Sequence, residues 1–162
     1  PKMPIYITRL DRSWSNSAGG VDLIVELEVF SEKTIKYIQI TVDAYNRVRD
    51  KVFGDIRRDS RFSGTAVGPY DKNTTRTSIT YGREGETISY SPLIFTWENI
   101  IYNSTVDCFK LIEVEIDYMD GSNETFTENE LTELMMPLEL MYYMRISFSA
   151  FDIYGTKGCC DF

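Results

Sequence analysis

The sequence contains no histidine, so the side chains that remain as candidates for catalysis or charged-ligand binding are mainly carboxylates and arginines. The absence of histidine removes the commonest general base and the commonest transition-metal ligand. A serine or cysteine nucleophile would lack an imidazole partner. No G-x-S-x-G, G-x-G-x-x-G or phosphate-binding loop occurs either. The sequence therefore predicts a protein that is not an enzyme and has no catalytic residues, no metal site and no cofactor.

Alternating carboxylates are the strongest argument against that prediction. Glu113, Glu115 and Asp117 fall on one face of a predicted strand, about 7 Å apart along it. Inverting glycosidases hold two carboxyl groups about 6.5–9.5 Å apart, so an Asp/Glu-dependent hydrolase stays open as an alternative. A solvated strand face is the commoner explanation. The stretch 120–124 lacks the ligand order of a calcium loop and is predicted to be a turn.

The segment 47–61 is the most unusual local feature, since its basic charge opposes the net charge of −8 of the whole chain. Guanidinium groups bind phosphate, sulfate or carboxylate through two parallel hydrogen bonds. We therefore predict a binding surface at Arg57, Arg58 and Arg61, for an acidic ligand or another protein. The alternative is local ion pairing with the interleaved aspartates, which are Asp50, Asp55 and Asp59.

Exposed aromatic side chains offer a second kind of surface. A carbohydrate-binding module stacks aromatic rings on sugars, and the candidates are Phe30, Tyr37, Tyr45 and Trp97. Most aromatic side chains in a strand-rich chain instead cover the core, so this function is kept as the alternative to a plain interaction module.

Charge and hydropathy restrict the partners and the compartment. The chain has a pI near 4.6 and is therefore negatively charged at neutral pH. This charge repels polyanions, so nucleic acid is not an expected partner. No apolar run approaches the length of a membrane span, so no transmembrane segment is expected. The chain has three cysteines, Cys108, Cys159 and Cys160. An odd number does not make a complete set of disulfide pairs, so the cysteines do not identify the redox compartment. A secretory signal upstream of Pro1 would identify the compartment.

Period-two alternation predicts the elements that carry these residues. Strands are expected at 4–14, 21–30, 35–46, 77–81 and 109–119, and short strands around Val52 and at 62–70. The stretch 87–102 is also rich in β-forming residues, and Pro92 is expected to interrupt or bound its strand. The runs 21–30 and 35–46 are predicted to pair as an antiparallel hairpin. The face of the first run that includes Glu26 and Glu28 is predicted to be largely wet.

One helix is predicted at 127–136, where Thr127 and Glu130 have the spacing of a capping box and Pro137 prevents continuation. We expect a single domain over 1–162, with a β-sandwich at 1–126, this helix, and an additional strand and tail at 138–162. Residues 143–157 resemble 37–51, either as a duplicated strand motif or by chance. The predicted core residues are Val25, Leu27, Ile40, Val42, Val114 and Ile116.

Short strands separated by polar turns favour an antiparallel immunoglobulin-like β-sandwich. The chain resembles small bacterial Ig-like envelope domains of the FxLYD type over about residues 13–126. The matching pieces are 17–21, 33–38, 44–46, 68–69, 97–99, 102–103 and 118–121, with 150–152 and Gly155 beyond them. The segment 47–61 and the tail after Pro137 depart from that pattern.

The resemblance implies a secreted or envelope-attached sandwich and brings no catalytic residue with it. The expected function is therefore a non-catalytic interaction or structural module of the bacterial cell envelope or exterior.

Overall fold

The computed structural model of the protein describes residues 3–82, 85–90 and 92–135. The predicted strand and tail at 138–162, the possible repeat at 143–157, and Pro137, Cys159 and Cys160 lie outside the described residues. Side-chain burial is described for this part of the chain except residues 76–91.

Two antiparallel sheets dominate the described residues, as the mainly β prediction requires. Sheet A has the strand order β1-β2-β7, sheet B has the order β4-β3-β8-β9, and β5 and β6 form a separate pair. The strands are β1 (Ile5–Arg12), β2 (Gly20–Val29), β3 (Ile35–Tyr45), β4 (Arg61–Tyr70), β5 (Arg76–Gly82), β6 (Gly85–Tyr90), β7 (Leu93–Tyr102), β8 (Cys108–Tyr118) and β9 (Asn123–Thr127). One helix, α1 (Asn129–Leu134), follows them.

A shared hydrophobic core lies between the apolar faces of sheets A and B. Alternate residues of β2 and of β3 point into it, and β8 adds a third apolar face. All six predicted core residues are fully buried, so this prediction is confirmed: Val25, Leu27, Ile40, Val42, Val114 and Ile116.

The predicted hairpin between 21–30 and 35–46 is wrong. The first of these strands, β2, pairs with β1 and β7, whereas β3 pairs with β4 and β8. The connection through Ser31 and Lys33 crosses from one sheet to the other. Because β2 and β3 face each other across the core, the apolar sides of both strands are buried against one another. Alternation alone marks the buried side of a strand but does not identify its neighbour.

The strand breaks follow the local turn chemistry. Pro92 separates β6 from β7, as predicted. Gly121 has a φ of +85°, which fits the predicted turn after β8. The predicted short strand at 62–70 is β4, and it runs through a cis peptide between Gly68 and Pro69. Because β4 is an edge strand, the missing N–H of Pro69 is tolerated there.

The helix is shorter than predicted. Thr127 belongs to β9, and Glu128 takes the N-cap position without a side-chain cap. Half of the predicted capping box forms, since the Thr127 N–H donates to Glu130 Oε2 at 3.2 Å. Leu131 and Leu134 are buried against the core and hold α1 in place.

Truncation of Ile40 tests the position of the core. Ile40 has no exposed surface, whereas Ile94 on β7 is 61% exposed. We expect Ile40→Ala to lower the free energy of unfolding by about 2–4 kcal/mol, because it leaves a cavity between the sheets. Ile94→Ala is the matched control and should change it by less than about 1 kcal/mol. Denaturant titration of both variants measures the difference, and equal losses would contradict the assignment of strand faces.

Glu28 departs from the predicted wet face of β2. The side chain is fully buried, and neither carboxylate oxygen has a hydrogen-bond partner in the described part of the chain. Burial raises the pKa of Glu28 to about 7, with a smaller opposing effect from the nearby Thr75 hydroxyl. The Thr75 oxygen itself makes long contacts, 3.4 and 3.5 Å, to the backbone of Val29. The folded state therefore favours the protonated form of Glu28.

Glu28 should make stability depend on pH. Its folded pKa exceeds the unfolded value of 4.5, so the folded state is favoured below pH 4.5. That advantage is lost as the pH rises toward about 7. Glu28→Gln should unfold like the parent at pH 4.5 and be more stable at pH 8 by up to about 3 kcal/mol. Denaturant titration at both pH values measures this. The exposed Glu133→Gln control should show no such difference between the two pH values, and an equal gain from both variants would exclude the burial argument.

Candidate functional site

A cleft opens on the side of the sandwich where edge strand β4 of sheet B faces edge strand β7 of sheet A. The segment before β4 forms its third wall, and the cleft has a volume of about 790 Å³. Sites of about 300–1,000 Å³ with apolar linings and a few polar groups are typical of ligand binding. This cleft is the best candidate site among the described residues.

Aromatic side chains form the floor of the cleft. Phe62 of β4 and Trp97 of β7 both line it, with their ring centroids 6.4 Å apart. Gly64 makes this approach feasible, because a Cβ there would lie only 2.5 Å from the indole ring. A glycine of β4 therefore meets the largest side chain of β7 at this contact.

The aromatic contacts continue along the same edge beyond the cleft. Phe95 lies 5.9 Å from Trp97, and Tyr70 lies 5.8 Å from Phe95, measured between ring centroids. Phe95 and Trp97 share one face of β7 because they are two residues apart, and all of these rings are half buried. We call Phe62, Trp97, Phe95 and Tyr70 the aromatic row.

Backbone hydrogen bonds fix the segment that forms the third wall. The Asp55 N–H donates to the Tyr102 carbonyl at 2.9 Å, which attaches this segment to the end of β7. The Gly54 N–H donates to the Asp59 carbonyl at 3.0 Å. The Asn103 side chain also donates to the Phe53 carbonyl at 3.0 Å. The wall is therefore held in place without a ligand.

Two arginines and two acidic residues are among those that line the cleft: Arg57, Asp59, Arg61 and Glu98. Asp59 and Glu98 are exposed. Exposure favours a role in binding for them, since a general acid is normally held in an apolar surrounding.

Arg61 is engaged by a buried carboxylate rather than free for a ligand. Its Nε and Nη2 donate to the two oxygens of Asp43 at 2.8 and 3.0 Å. Lys51 Nζ adds a third contact to Asp43 at 3.1 Å. The Arg61 hydrogen bond is the largest cause that holds the pKa of Asp43 below its usual range, and Lys51 contributes as well.

The structure divides the three predicted binding arginines. Arg57 lines the cleft, Arg58 is exposed but does not line it, and Arg61 lines it while bound to Asp43. Arg61 is ion-paired, but with Asp43 and not with one of the interleaved aspartates that the alternative named. Asp43 lies directly across from Arg61 in the pairing of β3 with β4, so strand register and not sequence proximity selects the partner.

The predicted aromatic candidates are also separated. Trp97 lines the cleft, whereas Phe30 packs edge-on against Tyr6 with ring centroids 5.3 Å apart. Tyr37 pairs across the strands with Asp117 and Val67 on sheet B. Tyr45, the last residue of β3, pairs with Cys108. Of the four candidates, Trp97 alone is among the residues that line the cleft.

The alternating carboxylates lie on sheet B and not in the cleft. Glu113, Glu115 and Asp117 pair with Thr41, Gln39 and Tyr37 on β3 and with Thr127, Thr125 and Asn123 on β9. Their neighbours across the strands are thus uncharged polar and aromatic residues. Within the described ranges no group of three or more acidic or cysteine side chains is placed to hold a metal ion.

Sequence reasoning missed Phe62, Glu98 and Tyr102, which line the cleft together with Asp59. No local sequence pattern marks these residues, because they come together only when β4 and β7 are edge strands on the same side of the sandwich. Gly64, in the middle of a strand with alternating polarity, was the local sign of a close approach.

Cys108, the first residue of β8, is disulfide-bonded, and its partner lies outside the described residues. In the part of the chain that the structure describes, no helix has the length and apolar character needed to cross a membrane.

Comparison of the chain with protein-family models, with curated proteins and with solved structures finds no match.

Removal of the Arg61 side chain should separate its structural role from that of its neighbours. Arg61→Ser leaves the buried Asp43 carboxylate with Lys51 as its remaining described ion-pair partner, so the thermal midpoint should fall. Arg57→Ser and Arg58→Ser, both at exposed positions, should leave the midpoint close to that of the parent. Thermal denaturation followed by circular dichroism compares the three variants. An equal midpoint for all three would show that the Asp43 pairing does not stabilise the fold.

Proposed function

We propose that the protein is a non-catalytic interaction module of the bacterial cell envelope or exterior, and that it binds its partner in the cleft between β4 and β7. The observation that carries this proposal is the cleft itself. It has an aromatic floor and a charged rim, and backbone hydrogen bonds hold its third wall. A site that is formed before binding loses little conformational entropy when a ligand enters.

An immunoglobulin-like fold of the FxLYD type is part of the proposal. The strand orders β1-β2-β7 and β4-β3-β8-β9 support it. In immunoglobulin-like sandwiches, strands A, B, E and D form one sheet and strands C, F and G form the other, to which some add C′ and C″; among the described residues no strand takes the place of D beside β7. Numbering the strands here in that way gives A-B-E opposite C′-C-F-G, with the β5–β6 pair inserted between C′ and E.

A location outside the cytoplasm is supported by the disulfide at Cys108. Disulfides persist in secreted and envelope proteins and are rare in reducing cytosol. The resemblance to envelope domains points to the same compartment.

A non-catalytic role is supported by the character of the cleft carboxylates. Asp59 and Glu98 are exposed, and the chain has no histidine to serve as their partner. The alternating acids of β8 lie away from the cleft lining. The residues that line the cleft are thus suited to hold a ligand, and a protein or an acidic group can be contacted through Arg57.

Two neighbouring arginines provide a matched test. Immobilised parent protein, Arg57→Ser and Arg58→Ser are incubated with a solubilised envelope fraction of the source organism. We expect Arg57→Ser to reduce the retained material and Arg58→Ser to retain as much as the parent, because Arg57 lines the cleft and Arg58 does not. The Arg57 contribution should shrink at high salt, where exposed charges are screened.

Two outcomes would contradict the proposal. Equal retention by all three proteins would exclude the cleft as the binding surface. Turnover of a glycoside or ester that is abolished by Glu98→Gln, Glu113→Gln or Glu115→Gln would show that the protein is an enzyme.

A further inference from the structure

Three connections meet at one end of the sandwich and are joined there by hydrogen bonds. Arg12, the last residue of β1, donates from Nε to the Asp107 carbonyl at 2.7 Å. The Asp107 N–H in turn donates to the carbonyl of Tyr45, the last residue of β3, at 2.8 Å. The connections that share this end are β1–β2 (13–19), β3–β4 (46–60) and β7–β8 (103–107).

Exposed apolar side chains are concentrated at this end. Of the seven large apolar side chains that are exposed where burial is described, four belong to these connections: Trp14 (84% exposed), Val48 (73%), Ile56 (72%) and Phe53 (54%). A single exposed apolar residue is normal, but a group of them at one place marks an interaction surface. We call these four residues the apolar end.

Arginines adjoin the apolar end. Four exposed arginines are neighbours of its residues in sequence, Arg47 and Arg49 on either side of Val48, and Arg57 and Arg58 directly after Ile56. The segment 46–60 also contains Lys51, which is paired with Asp43, and three aspartates. The local charge is therefore positive in a chain of net charge −8. An anionic surface attracts this end of the molecule and is repelled by the net charge of the rest.

The backbone of the turn that carries Val48 is hydrogen-bonded within the turn. Asn46 Oδ1 accepts from the N–H groups of Val48 and Asp50 at 3.0 and 2.9 Å. The Arg49 N–H donates to the Asn46 carbonyl at 3.0 Å. Backbone N–H groups are costly to bring into apolar surroundings unless they already have a partner. The tip of this turn can therefore carry Val48 into an apolar layer without losing these hydrogen bonds.

From these observations we propose that the apolar end docks on the surface of an anionic phospholipid bilayer. Its side chains enter the boundary between headgroups and acyl chains, where tryptophan is favoured. The adjoining arginines bind lipid phosphates, which match the guanidinium fork. A protein interface gathers its apolar contacts in one packed centre, whereas here the apolar residues project from separate connections and stand beside charged neighbours.

This surface goes beyond the binding proposed for the cleft. Ile56 and Arg57 lie where the two surfaces adjoin, since both also line the cleft. Trp14, Val48 and Arg47 do not line it. Variants of these three residues therefore test bilayer docking without changing the cleft.

Two exposed valines provide a matched test of the apolar contact. Parent protein, Val48→Ser and Val67→Ser are sedimented with vesicles of equal parts of phosphatidylglycerol and phosphatidylcholine. Val67 is 65% exposed on β4, outside the apolar end. We expect Val48→Ser to weaken vesicle binding about tenfold, the effect of one buried aliphatic side chain. Val67→Ser should bind like the parent.

Two exposed cations test the charge in the same assay. Arg47→Ser should weaken binding about fivefold, and this effect should shrink at high salt. Lys36→Ser is the control, because Lys36 is exposed near the start of β3, at the opposite end of the strand. It should bind like the parent. Vesicles of phosphatidylcholine alone should bind the parent more weakly than the mixed vesicles do.

Fluorescence locates the contact on the molecule. The chain has two tryptophans, and Trp14 is the one at the apolar end. Its entry into the bilayer boundary should shift the emission to shorter wavelength when mixed vesicles are added. Trp14→Phe should abolish this shift.

Three results would overturn the inference. They are no binding of the parent to mixed vesicles, binding that Val48→Ser leaves unchanged, and an equal loss in Val48→Ser and Val67→Ser. If vesicles are not bound and Val48→Ser instead loses a protein retained from the envelope fraction, the apolar end is a protein interface and the lipid assignment falls. The comparison of Arg57→Ser with Arg58→Ser on the solubilised fraction tests the cleft separately, so either proposal can fail alone.

Discussion

Burial of the apolar faces of β2, β3 and β8 in one core is the constraint from which the rest of the structure follows. These strands are the central members of their sheets, and their inward residues are fully buried. The hydrophobic gain is proportional to the apolar area removed from water, so the central strands set the orientation of the sheets. The positions of the edge strands follow from their pairing with these central strands. On one side this leaves β4 and β7 facing each other without hydrogen bonds between them, and the cleft is the result.

The closure of that side is made by side chains and not by backbone. Trp97 lies over Gly64, and the aromatic row fills the gap between the edges. Both edges are also poor templates for another strand, since β4 contains Pro69 and the pairing of β7 with β2 is irregular around Asn99. Natural sheets protect their edges by such devices. The sequence of these edges therefore favours recognition by side chains over the addition of a strand from a partner.

The parts of the fold that depend on local pattern were predictable from the sequence. Period-two alternation located the strands, and it identified Ile40 and Val114 as core because a strand with one apolar face has one way to bury it. The sheet to which each strand belongs was not predictable in this way, and the hairpin between β2 and β3 was wrong. Glu28 was assigned to a wet face because alternation does not show what covers that face.

The candidate site was predicted only in fragments, because its residues meet through register and topology. The basic segment drew attention to Arg57 and Arg61, but the aspartate that binds Arg61 is eighteen residues earlier, opposite it on β3. Trp97 appeared among the aromatic candidates without its neighbour Phe62. The packing of β4 against β7, which brings these two rings together, cannot be read from one sequence. The three-dimensional arrangement changes the chemistry as well, because Asp43 binds Arg61 and the three predicted arginines do not form one basic surface.

The pairing of Arg61 with Asp43 connects the stability of the sandwich to the character of the site. Asp43 is buried near the end of β3, a central strand of sheet B, and an unpaired carboxylate there would be costly. Arg61 and Lys51 satisfy it, and in doing so Arg61 holds the first residue of β4 against β3. The positive charge of Arg61 is thus neutralised within the fold, on the face of sheet B opposite to the one from which Phe62 packs on the core. Of the charged residues that line the cleft, Arg57 and Asp59 come from the segment before β4 and lie beside the aromatic side chains Phe62 and Trp97.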